Sequence, residues 1–441
     1  IIDMGVDKKF WDNRILTSLL ASWRVNLIHF YTTSRTFPDG AFNPDTDLAT
    51  AKSRATDLIW QGGYNDQWNW FGNEALIGFE LREASGSNVE QDAFGGNVVE
   101  TSPRETDLGY RPENFGLFWR DTINLAQHVI AHFGMRHDFH KLKTRDHLTP
   151  TNDLSRRWRD MSVSAGLTLK PVDFVDLFGN YSQGFRVPTV SEVAPFSSGI
   201  TNELNPEGTD SYEVGTRLRY QKLAQAKVSF FLIDLKNEIV FDSSSITATT
   251  PFGRNVNIGK SRREGAETRL DLIPIPEIDA YGSYTWMKAY VREAVSDPVT
   301  SGSPFDGRDL GSVPRHRFTA GLATRPLYRL GTFFEGLRIS IDGVYTGRQF
   351  IESHESTTQD LIDVTGETVD PYMIWDLMIS FEWKGKQIYF KINNLFDKHY
   401  YSRAVAATNF GSNITPGGSH LFVNPGAPRE FLVGTKWEFG K

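Results

Sequence analysis

Apolar and polar residues alternate along most of this chain with a period of two. From Met161 the set Met161, Val163, Ala165, Leu167 and Leu169 interleaves with Ser162, Ser164, Gly166 and Thr168, the pattern of a strand with one apolar and one polar face. It returns at Met373, Trp375, Leu377, Ile379, Phe381 and Trp383 against Asp376, Ser380 and Glu382. It returns again at Phe431, Val433, Thr435, Trp437 and Phe439 against Gly434, Lys436 and Glu438. Helical periodicity is sustained over about a dozen residues almost nowhere. The chain reads as all-β.

The links between these strands come in two alternating sizes. Short ones fall near Lys170 to Asp173, Gln221 to Gln225, Ile273 to Glu277 and Lys384 to Lys386. Long ones run near His137 to Arg159, Pro188 to Thr209, Val291 to Val313, Ile351 to Val369 and Arg403 to Pro428. Long loops gathered at one end, and strands of about 10 to 14 residues, predict a transmembrane antiparallel β-barrel. Aromatic residues mark its girdles: Tyr281, Tyr284 and Trp286 at one strand end, Trp375 and Trp383 at the two ends of one outward face. The opposite faces carry Arg338, Asp342, Glu267, Arg269, Asp271, Asp279 and Lys391, so the lumen is charged, because a dry core could not absorb so many ions. The pattern gives roughly seventeen strands, starting with one around Arg14 to Leu19 that runs toward the short-turn side. Single-chain bacterial barrels have even strand numbers, so the expectation is the C-terminal part of a larger barrel.

Composition narrows this picture. The 441 residues carry 47 Lys and Arg against 54 Asp and Glu, with the signs interspersed, so no basic stripe marks a nucleic-acid partner. With no cysteine there is neither a disulfide framework nor a thiolate site. Mean hydropathy is −0.38 and the longest apolar runs, such as that ending at Leu20, are too short for a membrane helix. Neither fact bears against a barrel, whose strands are apolar on one face only. Ile1 to Asp12 show no signal-peptide pattern, so the expectation is a chain whose true N-terminus lies upstream, or a cytosolic one.

Specific strings go further. Asn180-Tyr181-Ser182-Gln183-Gly184-Phe185-Arg186-Val187-Pro188-Thr189 followed by Glu192 resembles the "YSxGFRxPTxxEL" segment of TonB-dependent outer-membrane receptors, with Val193 in place of the final Leu. Leu204-Asn205-Pro206-Glu207 with Ser211-Tyr212-Glu213-Val214-Gly215 is similar to that family's "NPxLxPE…SYExG". Asn257-Ile258-Gly259-Lys260 with Arg263, Gly265 and Glu267 resembles its "NxGKxRxxGxE", and Val313-Pro314-Arg315-His316 its "VPxH". Lys391 through Asn393, Asn394, Asp397, Tyr400 and Tyr401, then Pro425-Gly426-Ala427-Pro428-Arg429, resemble its C-terminal "NLFDKxYY…PGxPR". Five strings in the family's order form a specific resemblance.

The resemblance implies a siderophore-receptor-like, 22-stranded barrel closed by an N-terminal plug. In the family the ligand, usually a ferric siderophore and sometimes cobalamin, haem or a glycan, binds loops and plug apices, and the TonB–ExbB–ExbD complex drives transport through the plug. The expectation for residues 1–441 is a partial receptor barrel with the plug and first strands lying outside it, embedded in outer-membrane lipid and taking a small-molecule metal chelate, without a resident cofactor. Gly184, Phe185, Arg186, Pro188, Glu213, Lys260, Arg263, Glu267, Asn393, Asp397, Tyr400 and Arg429 are candidates for the lumen wall and plug contact. Each has a structural reading as well: Gly184 as a bulge or close approach, Asn393 to Asp397 as a turn, Arg186 and Glu267 as a lumenal pair.

A second group draws attention by chemistry. His128 and His132 share one strand parity, whereas His137, His140 and His147 fall in an expected extracellular loop together with Arg156, Arg157 and Arg159. Histidines can ligate iron, yet the spacing matches no zinc or haem signature and Lys141, Lys143 and Arg145 lie among them, so solvated loop residues are the competing reading. The arginines are candidates to attract an anionic ferric chelate. No G-x-S-x-G, H-E-x-x-H or P-loop string occurs, and no enzyme is expected. A passive porin-like or accessory barrel is the rival class.

Overall fold

The computed structural model describes residues 2–33, 46–68, 71–94, 97–98, 104–193, 203–242, 254–293, 307–331, 334–354, 368–407 and 420–437. It is a wall of antiparallel strands. One sheet of 18 strands contains the two-residue piece Asn97–Val98 and 17 longer strands. In chain order these are β1 (Ile2–Phe10), β2 (Ile15–Thr33), β3 (Thr46–Trp68), β4 (Phe71–Phe94), β5 (Arg104–Ala126), β6 (Val129–Asp146), β7 (Leu154–Val172), β8 (Val175–Arg186) and β9 (Glu207–Tyr220). There follow β10 (Ala224–Lys236), β11 (Lys260–Ile275), β12 (Ile278–Glu293), β13 (His316–Thr324), β14 (Leu337–Thr346), β15 (Tyr372–Trp383), β16 (Lys386–Asn393) and β17 (Glu430–Trp437). Each pairs antiparallel with its neighbours in sequence, the up-and-down order of a membrane barrel. Among the described residues no ladder joins β1 to β17.

Two expectations are corrected here. The first strand is Ile2–Phe10, and residues 14–19 belong to the turn and to β2; Ile2, Met4 and Val6 alternate with Asp3, Gly5 and Asp7 over too short a run to stand out. The stretch from His137 to Arg159 is not a loop. β6 and β7 stay paired through Thr144 opposite Leu154, leaving only residues 147–153 as the link. Several strands likewise exceed the expected length, β4 reaching 24 residues.

Register assigns the two faces. Outward parity carries Met161, Leu167 and Leu169 on β7, Phe230 on β10 and Tyr284 and Trp286 on β12, all substantially exposed, as lipid-facing side chains must be in the isolated protein. Trp60, Phe79, Phe115 and Phe139 form an outward row across β3 to β6, with successive centroids 5.8, 6.5 and 6.1 Å apart. Tyr281 is not part of such a girdle: it lies on the opposite parity to Tyr284, and its hydroxyl donates to Asp342 at 2.8 Å.

The inward face is held by charge pairs. Asp57 on β3 takes Arg24 from β2 at 3.2 Å and also Arg82 from β4. Arg82 and Arg136 share Glu80, and Arg136 turns back to Asp138 at 2.7 Å. Glu80, Gly116 and Asp138 are register partners across β4, β5 and β6. A Cβ on Gly116 would meet Asp138 Oδ1 at 2.7 Å, so glycine there leaves the lane through which the Arg136 guanidinium spans a whole strand. Arg338 with Asp279 at 2.8 Å, Arg269 with Asp271 at 2.6 Å and Lys391 with Asp376 at 3.4 Å continue the lining. Asp57 and Asp138 are buried, but the arginines that meet them stay partly exposed, so each pair adds little stability. Their effect is to keep a charged surface self-satisfied.

Inward aromatics lie over cross-strand glycines. Phe178 covers Gly215, Phe231 covers Gly265, and Tyr281 covers Gly321, which lets a curved sheet fill its own concavities. At Gly265 a Cβ would press on the Trp286 backbone carbonyl, and on Phe231 Cζ at 2.7 Å; the backbone cannot yield as a side-chain tip can. At Gly184 a Cβ would meet nothing within 4 Å, so the close approach read from the sequence is not there. Gly265→Ala is therefore expected to cost about 1–3 kcal/mol of stability by overpacking, and Gly184→Ala close to nothing. Denaturant midpoints of refolded protein, read by gel migration without boiling, check this, and equal midpoints for the two variants would refute the packing account.

Candidate functional site

Most of the motif residues gather at the long-loop rim of the wall, in two hydrogen-bonded knots. The first joins the ends of β8 to β11. Arg186, the last residue of β8, grips Glu207, the first of β9, with Nε at 2.6 Å and Nη2 at 2.8 Å, the fork-on-carboxylate geometry open only to arginine. Its third nitrogen donates to Glu192 at 2.8 Å. Glu192 closes a capping box on the four-residue helix Val190–Val193. Its carboxylate accepts from the Thr189 N–H at 2.7 Å, and its own N–H donates to Thr189 Oγ1 at 3.3 Å. Burial pushes the Glu192 carboxyl up, but Arg186 and the Thr189 donors outweigh it and hold it below its ordinary range. Pro188, just before the cap, is buried.

Two further hubs tie the β10 to β11 connection to the chain entering β9 and to the start of β11. Asn257 donates to the carbonyls of Asn205 at 3.0 Å and Asn237 at 2.7 Å and accepts the Asn205 N–H at 2.8 Å. Glu238 is buried and takes Arg263 at 2.6 Å together with the Ser261 hydroxyl. Glu207 also accepts the Ile239 N–H at 2.7 Å. Beneath the polar knot Leu142, Val193, Leu204 and Ile239 form a buried apolar cluster against Leu154, Trp158 and Val190. Val190, Val193 and Leu204 thus pack on the lumenal faces of β6 and β7.

The second knot centres on Asn394, held at φ 49°, a left-handed conformation that asparagine tolerates better than most residues. Its N–H donates to Asp376 at 2.9 Å, its amide donates to the carbonyls of Lys398 and Ala427 at 3.0 Å each, and its carbonyl accepts the Lys398 N–H at 2.8 Å. Asp397 accepts the Arg429 N–H at 2.9 Å. Asn393 donates to Glu430 at 2.9 Å. Tyr400 meets Tyr372 in a tilted contact with centroids 4.3 Å apart and lies across Gly426, where a Cβ would fall against its ring. A cleft of ≈ 780 Å³ opens beside it, lined by Tyr372, Lys398, His399, Tyr400 and Tyr401 among others.

The remaining candidates are dispersed. Phe185 meets the edge of His140 at 5.5 Å. Glu213 pairs with Lys227 at 2.8 Å on the lumen wall, and Lys260 with Glu293 at 2.5 Å at the rim. Glu267 has no ion-pair partner among the described residues, and Arg186 engages Glu207 and Glu192, not Glu267. The histidine and arginine group does not come together. His137 and His140 sit within β6 on opposite faces, His137 stacked on Phe139 at 4.5 Å. His147 is bound to Asp107 at 2.8 Å, and His128 lies in the turn before β6. Arg156 faces inward and pairs with Glu203, while Arg157 and Arg159 face outward. Strand pairing, which alternates side-chain direction, separates what an unstructured loop could have gathered. Among the described residues no group of three or more His, Asp or Glu is placed to hold a metal ion. Glu207, Glu238, Asn257 and Asn394 were not singled out from sequence; three of them lie inside the quoted strings, the only signal available.

The TonB dependent receptor-like β-barrel family model matches residues 6–395. A probable TonB-dependent receptor, BfrD of Bordetella pertussis, is 23% identical over 307 residues, 67% of this chain and 38% of the relative. The vitamin B12 transporter BtuB of Vibrio vulnificus is 27% identical over 280 residues, 63% of this chain and again 38% of the relative. The solved siderophore receptor PiuA of Acinetobacter baumannii superposes with a TM-score of 0.73 at 14% identity, over 99% of this chain and 63% of that one. The chain thus spans well under half the length of these curated relatives. With its family match, large antiparallel meander and two motif-built knots, the chain belongs to the TonB-dependent receptor β-barrel family of Gram-negative outer membranes, a family of receptors and not of enzymes.

Proposed function

We propose that the chain forms most of the wall of a receptor for energised uptake of a metal chelate, a ferric siderophore in the first instance. The observation that carries this reading is the lumenal wall. Its Arg24, Asp57, Arg82, Glu80, Arg136 and Asp138 ladder satisfies itself, with the aspartates buried and the arginines partly open to solvent. A face of that kind suits a polar occupant, either a folded plug or a hydrated, charged solute, and not a packed apolar core. Relatives named for siderophores and for vitamin B12 support a small chelate as the cargo class. In this reading TonB–ExbB–ExbD supplies the energy through a plug encoded outside these 441 residues. Cobalamin, haem or a glycan are the alternative cargoes.

The rim knots then serve as scaffolding, fixing the roots of the long loops while leaving the loops themselves free to vary. Arg186 links two loop roots and the short helix, yet lies at the edge of the wall. Arg186→Met should therefore speed proteolytic cleavage between β8 and β9 several-fold and leave the unfolding midpoint of the wall within about 1 kcal/mol, in line with a partly exposed ion pair. Loss of the whole wall at lower denaturant would show instead that the knot holds the barrel.

The transport reading is tested in an iron-starved strain that carries the gene encoding this chain as its sole receptor. Growth is scored on a panel of ferric siderophores, haem and cobalamin, with and without functional TonB. The expected result is growth on one or a few ferric chelates that disappears when TonB is inactivated. Growth that persists without TonB, together with permeability to unrelated small solutes, would replace the receptor by a passive channel.

A further inference from the structure

Past the aromatic row, on the long-loop side, β7 and β8 separate. Their ladder runs only as far as Ser164 opposite Ser182, whereas β7 stays paired to β6 up to Leu154 opposite Thr144. Above that point a ring contact reaches from the end of β8 to β6. Phe185 meets His140 in a T-shaped arrangement, with centroids 5.5 Å apart and planes at 69°. Phe185 is the residue before Arg186, the hub of the first knot. On the other side of His140, its register partner Trp158 packs against the apolar cluster that holds Val193 and Leu204. His140 therefore adjoins both attachments of the β8 to β9 connection.

The ring is held in a setting that suits only its neutral form. His140 Nε2 is buried and has no hydrogen-bond partner among the described residues, and Oδ1 of its other register partner, Asn114 on β5, is in the same condition. An imidazolium must donate from both nitrogens, and a buried charge without an acceptor is costly. The charged groups on the elements packed here are Arg136 and Asp138 on β6, Glu80 and Arg82 on β4, Arg156 and Asp160 on β7, and Arg186 at the end of β8. All but one are engaged: Arg136 with Glu80 and Asp138, Arg82 with Asp57 and Glu80, Arg156 with Glu203, and Arg186 with Glu207 and Glu192. Asp160 accepts the Met161 N–H at 2.8 Å and has no cation partner among the described residues. It is a diagonal cross-strand neighbour of His140 on the same inward face, about 7 to 8 Å away by backbone spacing and within reach of an imidazole.

We propose that His140 is a proton-operated latch on the β8 to β9 connection: neutral, its ring packs on Phe185 and holds the connection to the wall; protonated, it leaves Phe185 for the Asp160 carboxylate and the connection loosens. These are two discrete positions of one side chain, which is what a switch requires. The packed ring excludes the proton, and the released ring takes it up near the ordinary histidine value of about 6.5, or above it once Asp160 is the partner. The latch is therefore fully closed above that range and opens as pH falls through it. For a group that titrates near 6.5 when released, the balance shifts toward the open form by about tenfold or more between pH 7.5 and pH 5.5. The long-loop end of such a wall faces the external medium, so the latch reads the acidity outside the cell. The inference does not depend on which cargo the receptor carries.

The test places a nitroxide spin label at Ser191→Cys, an exposed position on the Val190–Val193 helix, the 441 residues holding no other cysteine. The full receptor in lipid vesicles is titrated from about pH 8 to about pH 5, and electron paramagnetic resonance reads the ratio of mobile to immobile label. The expected ratio rises reversibly by about tenfold or more between pH 7.5 and pH 5.5 and bends at or above about pH 6.5. His140→Gln, which cannot take the charge, should hold the change below about twofold, and Asp160→Asn should move the bend to lower pH by about half a unit or more. Gel migration without boiling reports whether each variant is folded. A flat ratio in the unaltered receptor, or a tenfold rise that persists in folded His140→Gln, overturns the proposal, and an unmoved bend in folded Asp160→Asn overturns the assignment of Asp160 as the receiving group. Should His140→Gln fail to fold, the bend of the unaltered receptor decides: at or above about 6.5 it supports the imidazole, whereas below about 5 it assigns the response to the carboxylates of the knot and overturns the latch.

Discussion

A peptide group inside a bilayer has no water to bond, so every strand of this wall must be satisfied by its neighbours. That requirement produces the next-neighbour antiparallel meander of β1 to β17. Because successive side chains point to opposite sides of such a ladder, it also divides the sequence between two solvents. One set of residues meets hydrocarbon and the other meets a polar lumen. The charge ladder from Arg24 to Asp138 is the consequence on the inner side, and the row from Trp60 to Phe139 the consequence on the outer. Glycines opposite aromatics, such as Gly265 opposite Phe231, follow from the same geometry, since a closing sheet crowds its concave face.

The wall was legible in the sequence wherever hydrocarbon forces the alternation. Met161 to Leu169 and Met373 to Trp383 could be read by parity alone, and the charged parity of Arg338, Asp342 and Asp279 correctly marked the lumen. The reading failed where strands leave the bilayer. Between His137 and Arg159 both faces are polar: Lys141 and Arg157 look outward while Asp138 and Asp160 look inward. Nothing periodic remains, although the backbone ladder runs on. Tyr281 misled for a related reason, because a ring at a strand end is a girdle residue only if its parity faces lipid, and this one lies over Gly321 on the lumenal face and bonds Asp342 on the next strand but one.

The motif strings were legible as marks of a family and not as a mechanism. Their meaning is three-dimensional. Arg186, Glu192 and Glu207 are separated in sequence yet share one set of hydrogen bonds, and Asn257 supplies the crossing bonds that hold two loop roots together. Asn394 does the same work between β15, β16 and the chain before β17. Side chains committed in this way have few valences left for a ligand. The knots anchor the roots of the long loops to the wall.

This division explains how a chain only 14% identical to a solved receptor can superpose on it with a TM-score of 0.73. The ladder constrains the backbone and the polarity of each position, and many side chains satisfy a given polarity. Identity is demanded only where geometry leaves no choice: a glycine under an aromatic ring, an arginine whose fork must meet Glu207, an asparagine held in the left-handed region. Cargo recognition need not involve any of these.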